Sequence, residues 1–185
     1  MNYFRIKSYA KVNLALNVTG KNLGLHKIES LIGFISLYDV ILIKKIKSKK
    51  HIISFRGKYS KNIYKKNTIS KLFKILEREM ILKGHKFEIK INKYIPPKSG
   101  LGGGSMNAAN ILKYLIKKNF INPSKRQLSL ICKSIGSDVA LGLNSTFTII
   151  KSNNQIKEFK NCKKFYALIV KPSFGCSTKE IYSGV

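Results

Sequence analysis

The sequence predicts an α+β fold, and three observations carry that prediction. The first third reads as strands, in β-branched and leucine-rich runs separated by short polar strings. Near the middle the hydrophobic period changes from that of a helix to that of a half-buried strand. Shortly afterwards Gly100, Gly102, Gly103 and Gly104 fall within five positions, directly before an amphipathic helix opening. A chain of 185 residues with 44% hydrophobic residues, ten Phe and nine Tyr holds enough apolar surface to offset ordering entropy. At this length about 70% of the unfolded surface can be buried.

Strands are predicted over residues 3–19, 28–46 and 51–55. A helix follows over residues 67–83, capped by Asn67 or Thr68, with Ile69, Leu72, Phe73, Ile75, Leu76 and Met80 on one face. Phe87, Ile89 and Ile91 then alternate with Lys86, Glu88, Lys90 and Asn92, the period of a strand with one face buried. That strand runs through Pro96 and Pro97 into the glycine run and a helix from Ser105 to about Lys118. A third helix after Pro123 and Ser124 carries Leu128, Leu130, Ile131 and Ile135 and closes at Gly136. Thr146 to Ile150 and Phe165 to Val170 are the last predicted strands. There is no internal repeat, no low-complexity linker and no compositional domain boundary.

A formal charge of +28 invites a nucleic-acid or membrane-surface reading. Two features argue against nucleic acid. Only four of the 36 basic residues are Arg, the better bidentate reader of phosphates and bases, and the lysines are scattered from Lys7 to Lys179 instead of forming a patch. A solvated basic surface, with an anionic small molecule as partner, fits better. Cys132, Cys162 and Cys176 follow no metal-ligand spacing, which fits a reducing cytoplasm. No apolar run approaches a membrane span, and no signal-peptide pattern opens the chain, so a cytoplasmic protein without membrane association is expected.

Strand, glycine run, helix is an arrangement suited to anions. Glycines let the backbone approach a ligand closely, and free N–H groups at a helix start attract negative charge. A phosphate fits this description, with Ser105 adding a hydroxyl and Lys98 a point charge. The Walker pattern and the dinucleotide pattern both fail here, the first for want of a GK[ST] string and the second because Ser105 stands where glycine is required.

Phosphoryl transfer from such a loop needs a carboxylate near the acceptor hydroxyl and a cation beside it. The chain has two aspartates. Asp39, in "SLYDVILI", reads as a turn residue between strands; Asp138, in "IGSDVALGL", is the better candidate for chemistry or else a cap. Lys11, in "YAKVNLALNVTG", is a lone charge within an apolar strand, and Asn13 shares its face by the period of two.

Together "AKVNLALNVTG", "GLHKIESL", "IPPKSGLGGGSMNAA", "IGSDVALGL" and "FGCSTKEIY" resemble, in this order, the GHMP kinase family, and in particular the branch that acts on a cytidine-diphosphate derivative of methylerythritol in non-mevalonate isoprenoid synthesis. The resemblance implies the ribosomal protein S5 domain 2-like α+β fold of GHMP amino-terminal domains over residues 1–165, with residues 166–185 beginning a carboxy-terminal domain. It implies ATP with Mg2+, its phosphates on Pro96, Pro97, Lys98, Ser99, Gly100, Leu101, Gly102, Gly103, Gly104, Ser105 and Met106. It also implies that Asp138 deprotonates or orients the 2-hydroxyl and that Lys11 holds Asp138 ionised. Asn13, His26 and Tyr182 fall at substrate-contacting positions, His26 toward the cytosine and Tyr182 stacked on it. The resemblance departs at Leu25, where an aromatic residue is usual, and at Met106, which replaces a second serine. Two other readings of the residues remain open: a non-catalytic remnant binding nucleotide or a partner chain, and a basic RNA-binding domain.

Overall fold

The computed structural model describes residues 2–159 and 165–170, apart from 23–24, 62, 65, 145 and 154. Two long strands dominate it. β1 (Phe4–Asn22) and β2 (Leu25–Ile46) run antiparallel along almost their whole lengths. The other edge of β2 takes two partners: Val40 to Ile46 pair with β4 (Lys86–Asn92), and Ser30 to Ile32 pair with β5 (Phe147–Ile150). β3 (Ile52–Arg56) lies parallel to β4, a pairing that needs the crossover supplied by helix α1 (Thr68–Arg78). β6 (Ile156–Phe159) adds antiparallel to β5, so the path is β3-β4-β2-β5-β6 with β1 along β2.

Helices α2 (Gly103–Lys117), α3 (Lys125–Ile135) and α4 (Val139–Asn144) join α1 in covering the sheet. The main core unites Ile41 and Ile43 of β2 and Phe87, Ile89 and Ile91 of β4 with Leu72 and Leu76 of α1, Ile111, Leu112 and Leu115 of α2, and Ile131 of α3. β4 follows its sequence pattern, its odd-numbered residues buried and its even-numbered ones half-buried. Local signals fix the helix starts. Asn67 accepts from the N–H groups of Ile69 and Ser70 while the Ser70 hydroxyl accepts from the Asn67 N–H, and Ser124 and Gln127 form the same reciprocal cap on α3.

Several expectations are corrected. The first helix ends at Arg78, five residues early, because Met80 takes φ +53° and turns away from the core, leaving it 83% exposed. Leu130 faces solvent, and Cys132 fills the buried position on α3. Residues 165–170 form no strand: Phe165 meets Phe147 edge-on at 5.8 Å, but Tyr166, Leu168 and Val170 are exposed, and apolar composition makes a strand only where an edge supplies hydrogen bonds. α4 and β6 were not anticipated, being short and, in β6, half charged.

Candidate functional site

Lys11 and Asn13 lie on β1 opposite Phe34 and Ile32, in regular register with each other and therefore on one face. The register shifts on both sides of them, between Tyr9 and Lys11 and between Asn13 and Ala15. Such irregularities re-aim backbone and side chains. Here the Lys11 N–H donates to the Leu101 carbonyl of the glycine loop at 3.1 Å, which ties the strand to the loop. The Lys11 ammonium donates to Asn13 Oδ1 at 2.6 Å and stands 3.4 Å from Asp138 Oδ2. Asp138 arrives from the turn between α3 and α4, its side chain 32% exposed, whereas that of Lys11 is 9% exposed. The two residues singled out for chemistry are thus adjacent, with the carboxylate on the open side.

The glycine loop meets this pair at its last turn. Gly102 caps α2 in the left-handed region at φ +66°, and no side chain caps the helix. The ladder begins with the Met106 N–H donating to the Gly102 carbonyl at 2.9 Å. The amides of Gly103, Gly104 and Ser105 are left without a side-chain acceptor, the condition under which a helix start binds anions. A Cβ on Gly102 would sit 2.8 Å from Lys11 Cγ and 3.6 Å from Asp138 Oδ2, so the pair touches the loop only because this residue has no side chain. A Cβ on Gly103 would press on Ile95 Cγ2 at 2.9 Å. Thr68, first residue of α1, donates its hydroxyl to the Gly104 carbonyl at 3.0 Å and so anchors the loop from a second helix.

The loop residues divide by role. Ser105 is the third residue of α2, not its cap, and its hydroxyl faces Gly136 at the end of α3. The Ser99 hydroxyl donates to the Pro96 carbonyl at 2.7 Å and closes the turn; Pro97, Lys98 and Gly100 are exposed. Leu101 and Met106 point inward: Leu101 joins Ala10, Val12 and Ile95, and Met106 is fully buried with Ile32 and Leu141. Helical geometry turns the side chain of Met106, the fourth residue of α2, toward the sheet, so at this position only the backbone is left to face a phosphate.

Asp39 is also not a turn residue. It lies in the middle of β2, fully buried, and accepts from the Tyr94 N–H at 2.8 Å, the Ile95 N–H at 2.9 Å, Asn107 Nδ2 at 2.8 Å and the Lys93 ammonium. Those donors come from both ends of the glycine loop, which Asp39 clasps together. A buried carboxylate persists only with such partners. The sequence reading did not place Asp39, Lys93, Asn107 and Thr68 at the site; the available signal was Lys93, which continues the odd-numbered buried face of Phe87, Ile89 and Ile91. His26 sits opposite Lys21 in the β1–β2 ladder, but its side chain, and all of Tyr182, lie outside the described residues.

The chain is similar to known proteins in sequence and in fold. A profile of the GHMP kinases N terminal domain matches residues 67–149. A 4-diphosphocytidyl-2-C-methyl-D-erythritol kinase of Pelagibacter ubique is 57% identical over all 185 residues, which cover 66% of that protein. One of Clostridium beijerinckii is 35% identical over 96% of the chain and 63% of its own length. The chain therefore spans slightly less than two thirds of these relatives. A crystal structure of 4-(cytidine 5'-diphospho)-2C-methyl-D-erythritol kinase superposes with a TM-score of 0.65 at 25% identity, over 84% of this chain and 55% of that one. A mevalonate kinase structure shares the fold at a TM-score of 0.64 and 17% identity.

Proposed function

We propose that this chain, whose residues 67–149 match the GHMP kinases N terminal domain and which is 57% identical to a named kinase of that kind, belongs to the GHMP kinase family and carries the phosphoryl-transfer site of a kinase that uses ATP to phosphorylate the 2-hydroxyl of 4-diphosphocytidyl-2-C-methyl-D-erythritol, a step of isoprenoid synthesis. The observation that carries the reading is the Lys11–Asp138 pair set against Gly102 at the uncapped start of α2. The relatives' names supply the acceptor.

In this reading the triphosphate lies on the amides of Gly103, Gly104 and Ser105, with the loop from Pro96 to Gly102 as its outer wall. Magnesium would enter with the nucleotide as MgATP and would neutralise charge on the triphosphate. The acceptor hydroxyl approaches Asp138, gives it a proton and attacks the γ-phosphorus, and the bond to the β-phosphate oxygen breaks to leave ADP. General-base help of this kind is worth roughly 10² to 10⁴ in rate. Lys11 places positive charge beside Asp138 and the transferring group. Asn13 offers its amide to the acceptor, and His26 and Tyr182 are assigned to the cytosine. The reaction belongs in the cytoplasm; among the described residues no helix is long and apolar enough to cross a membrane.

The test is incubation of the protein with MgATP and the cytidylated acceptor, followed by phosphorus NMR. A new phosphomonoester signal rising with ADP is expected. ATP left unchanged, or hydrolysed without phosphorylated acceptor, overturns the reading.

A further inference from the structure

Asn13 is exposed on β1, yet its amide has a defined orientation, and the residue responsible comes from β2. Ser30 is 4% exposed, paired with Leu16 on one side and Ile150 on the other. Its hydroxyl donates to the Ala15 carbonyl at 2.8 Å and accepts from Asn13 Nδ2 at 2.7 Å. The register shift between Asn13 and Ala15 lies at this contact, where the Ala15 carbonyl takes a side-chain donor.

The direction of this chain is set at both ends. A backbone carbonyl can only accept, so the Ser30 proton points to Ala15 and only its lone pairs face Asn13. Asn13 must then present Nδ2 to Ser30 and Oδ1 to the Lys11 ammonium, which can only donate. A flipped amide would face an N–H₂ with an ammonium and a carbonyl with lone pairs.

We propose that Ser30 is a positioning residue for the acceptor site: it locks the Asn13 amide so that Oδ1 secures Lys11 beside Asp138 while the second Nδ2 hydrogen stays free for the acceptor. This rests on the kinase reading above. Without the hydroxyl an exposed asparagine regains its rotamers, and the ordering is lost where the acceptor docks. ATP binding depends on the other end of the site and is untouched.

Ser30→Ala and Ser30→Thr, the second retaining the hydroxyl, test this against the unaltered protein in steady-state kinetics and nitrogen-15 NMR of the Asn13 side chain. Ser30→Ala is expected to lose about tenfold in kcat/KM for the acceptor with KM for ATP unchanged, and Ser30→Thr to stay within about twofold of the parent. The hydrogen-bonded Asn13 amide proton should shift toward the free-amide position in Ser30→Ala only. Unchanged acceptor kinetics in Ser30→Ala, an equal rise in KM for ATP, or unmoved Asn13 resonances overturn the proposal. Should none of the three turn over, the kinase reading fails, and the Asn13 resonances still decide the role of Ser30.

Discussion

The side chain of Lys11 stands 3.4 Å from that of Asp138, and both close on Gly102, whose missing Cβ leaves room for them. A strand, a turn between helices and a helix start meet in that contact.

Gly102→Ala should damage the site without unfolding the protein. The left-handed conformation costs a residue with Cβ about 1 kcal/mol, and the added carbon would displace Lys11 Cγ, 2.8 Å away. Calorimetric titration with a non-hydrolysable ATP analogue should show affinity lowered about tenfold or more, with the thermal midpoint moved only a few degrees. Wild-type affinity would remove Gly102 from the site.

Lys93→Met should act through stability. It leaves Asp39, fully buried, with three amide donors and no cation, a change expected to cost about 3 to 5 kcal/mol in urea unfolding. A cost near zero would mean that the Asp39 clasp is not held by charge.

Met106→Ser separates core from site. The fully buried Met106 packs with Ile32 and Leu141, so the change opens a cavity worth about 2 to 5 kcal/mol and gives the nucleotide no new donor. Denaturation and titration should show lost stability with affinity retained in the folded protein; tighter nucleotide binding would restore the serine to the phosphate site.

Acid sensitivity should trace to His51. Its Nδ1 accepts the Phe87 N–H at 3.1 Å, its Nε2 faces Glu77 Oε1 at 3.1 Å, and burial holds its pKa below the ordinary 6.5. The unfolded chain therefore binds the proton first. Stability present above 6.5 is lost as pH falls below it, toward the lower folded value. Glu77, held low chiefly by the hydrogen bond from Lys86, adds its own loss only below its ordinary 4.5. Urea midpoints measured between about pH 7 and pH 5 should fall less in His51→Gln than in the parent; parallel curves would acquit the histidine.

What the sequence disclosed depended on whether a residue's partners lay nearby or far along the chain. The alternation of Phe87, Ile89 and Ile91 and the Asn67 cap are local patterns, and both appear as expected. The Lys11–Asp138 pair was legible because two aspartates left little choice and the motif order supplied the rest. Asp39 was misread because a carboxylate inside "SLYDVILI" looks like a break, and its donors from Lys93 to Asn107 arrive only through tertiary pairing. Residues 165–170 erred in the opposite way, having strand composition but pairing with no strand among the described residues.

The most direct test of the Lys11–Asp138 assignment is the turnover of Asp138→Asn with MgATP and the cytidylated acceptor, read beside its affinity for an ATP analogue. A fall of roughly 10² to 10⁴ in kcat with affinity within about twofold of the parent is expected. Parental turnover in Asp138→Asn, or a loss accounted for by weakened nucleotide binding, would contradict it.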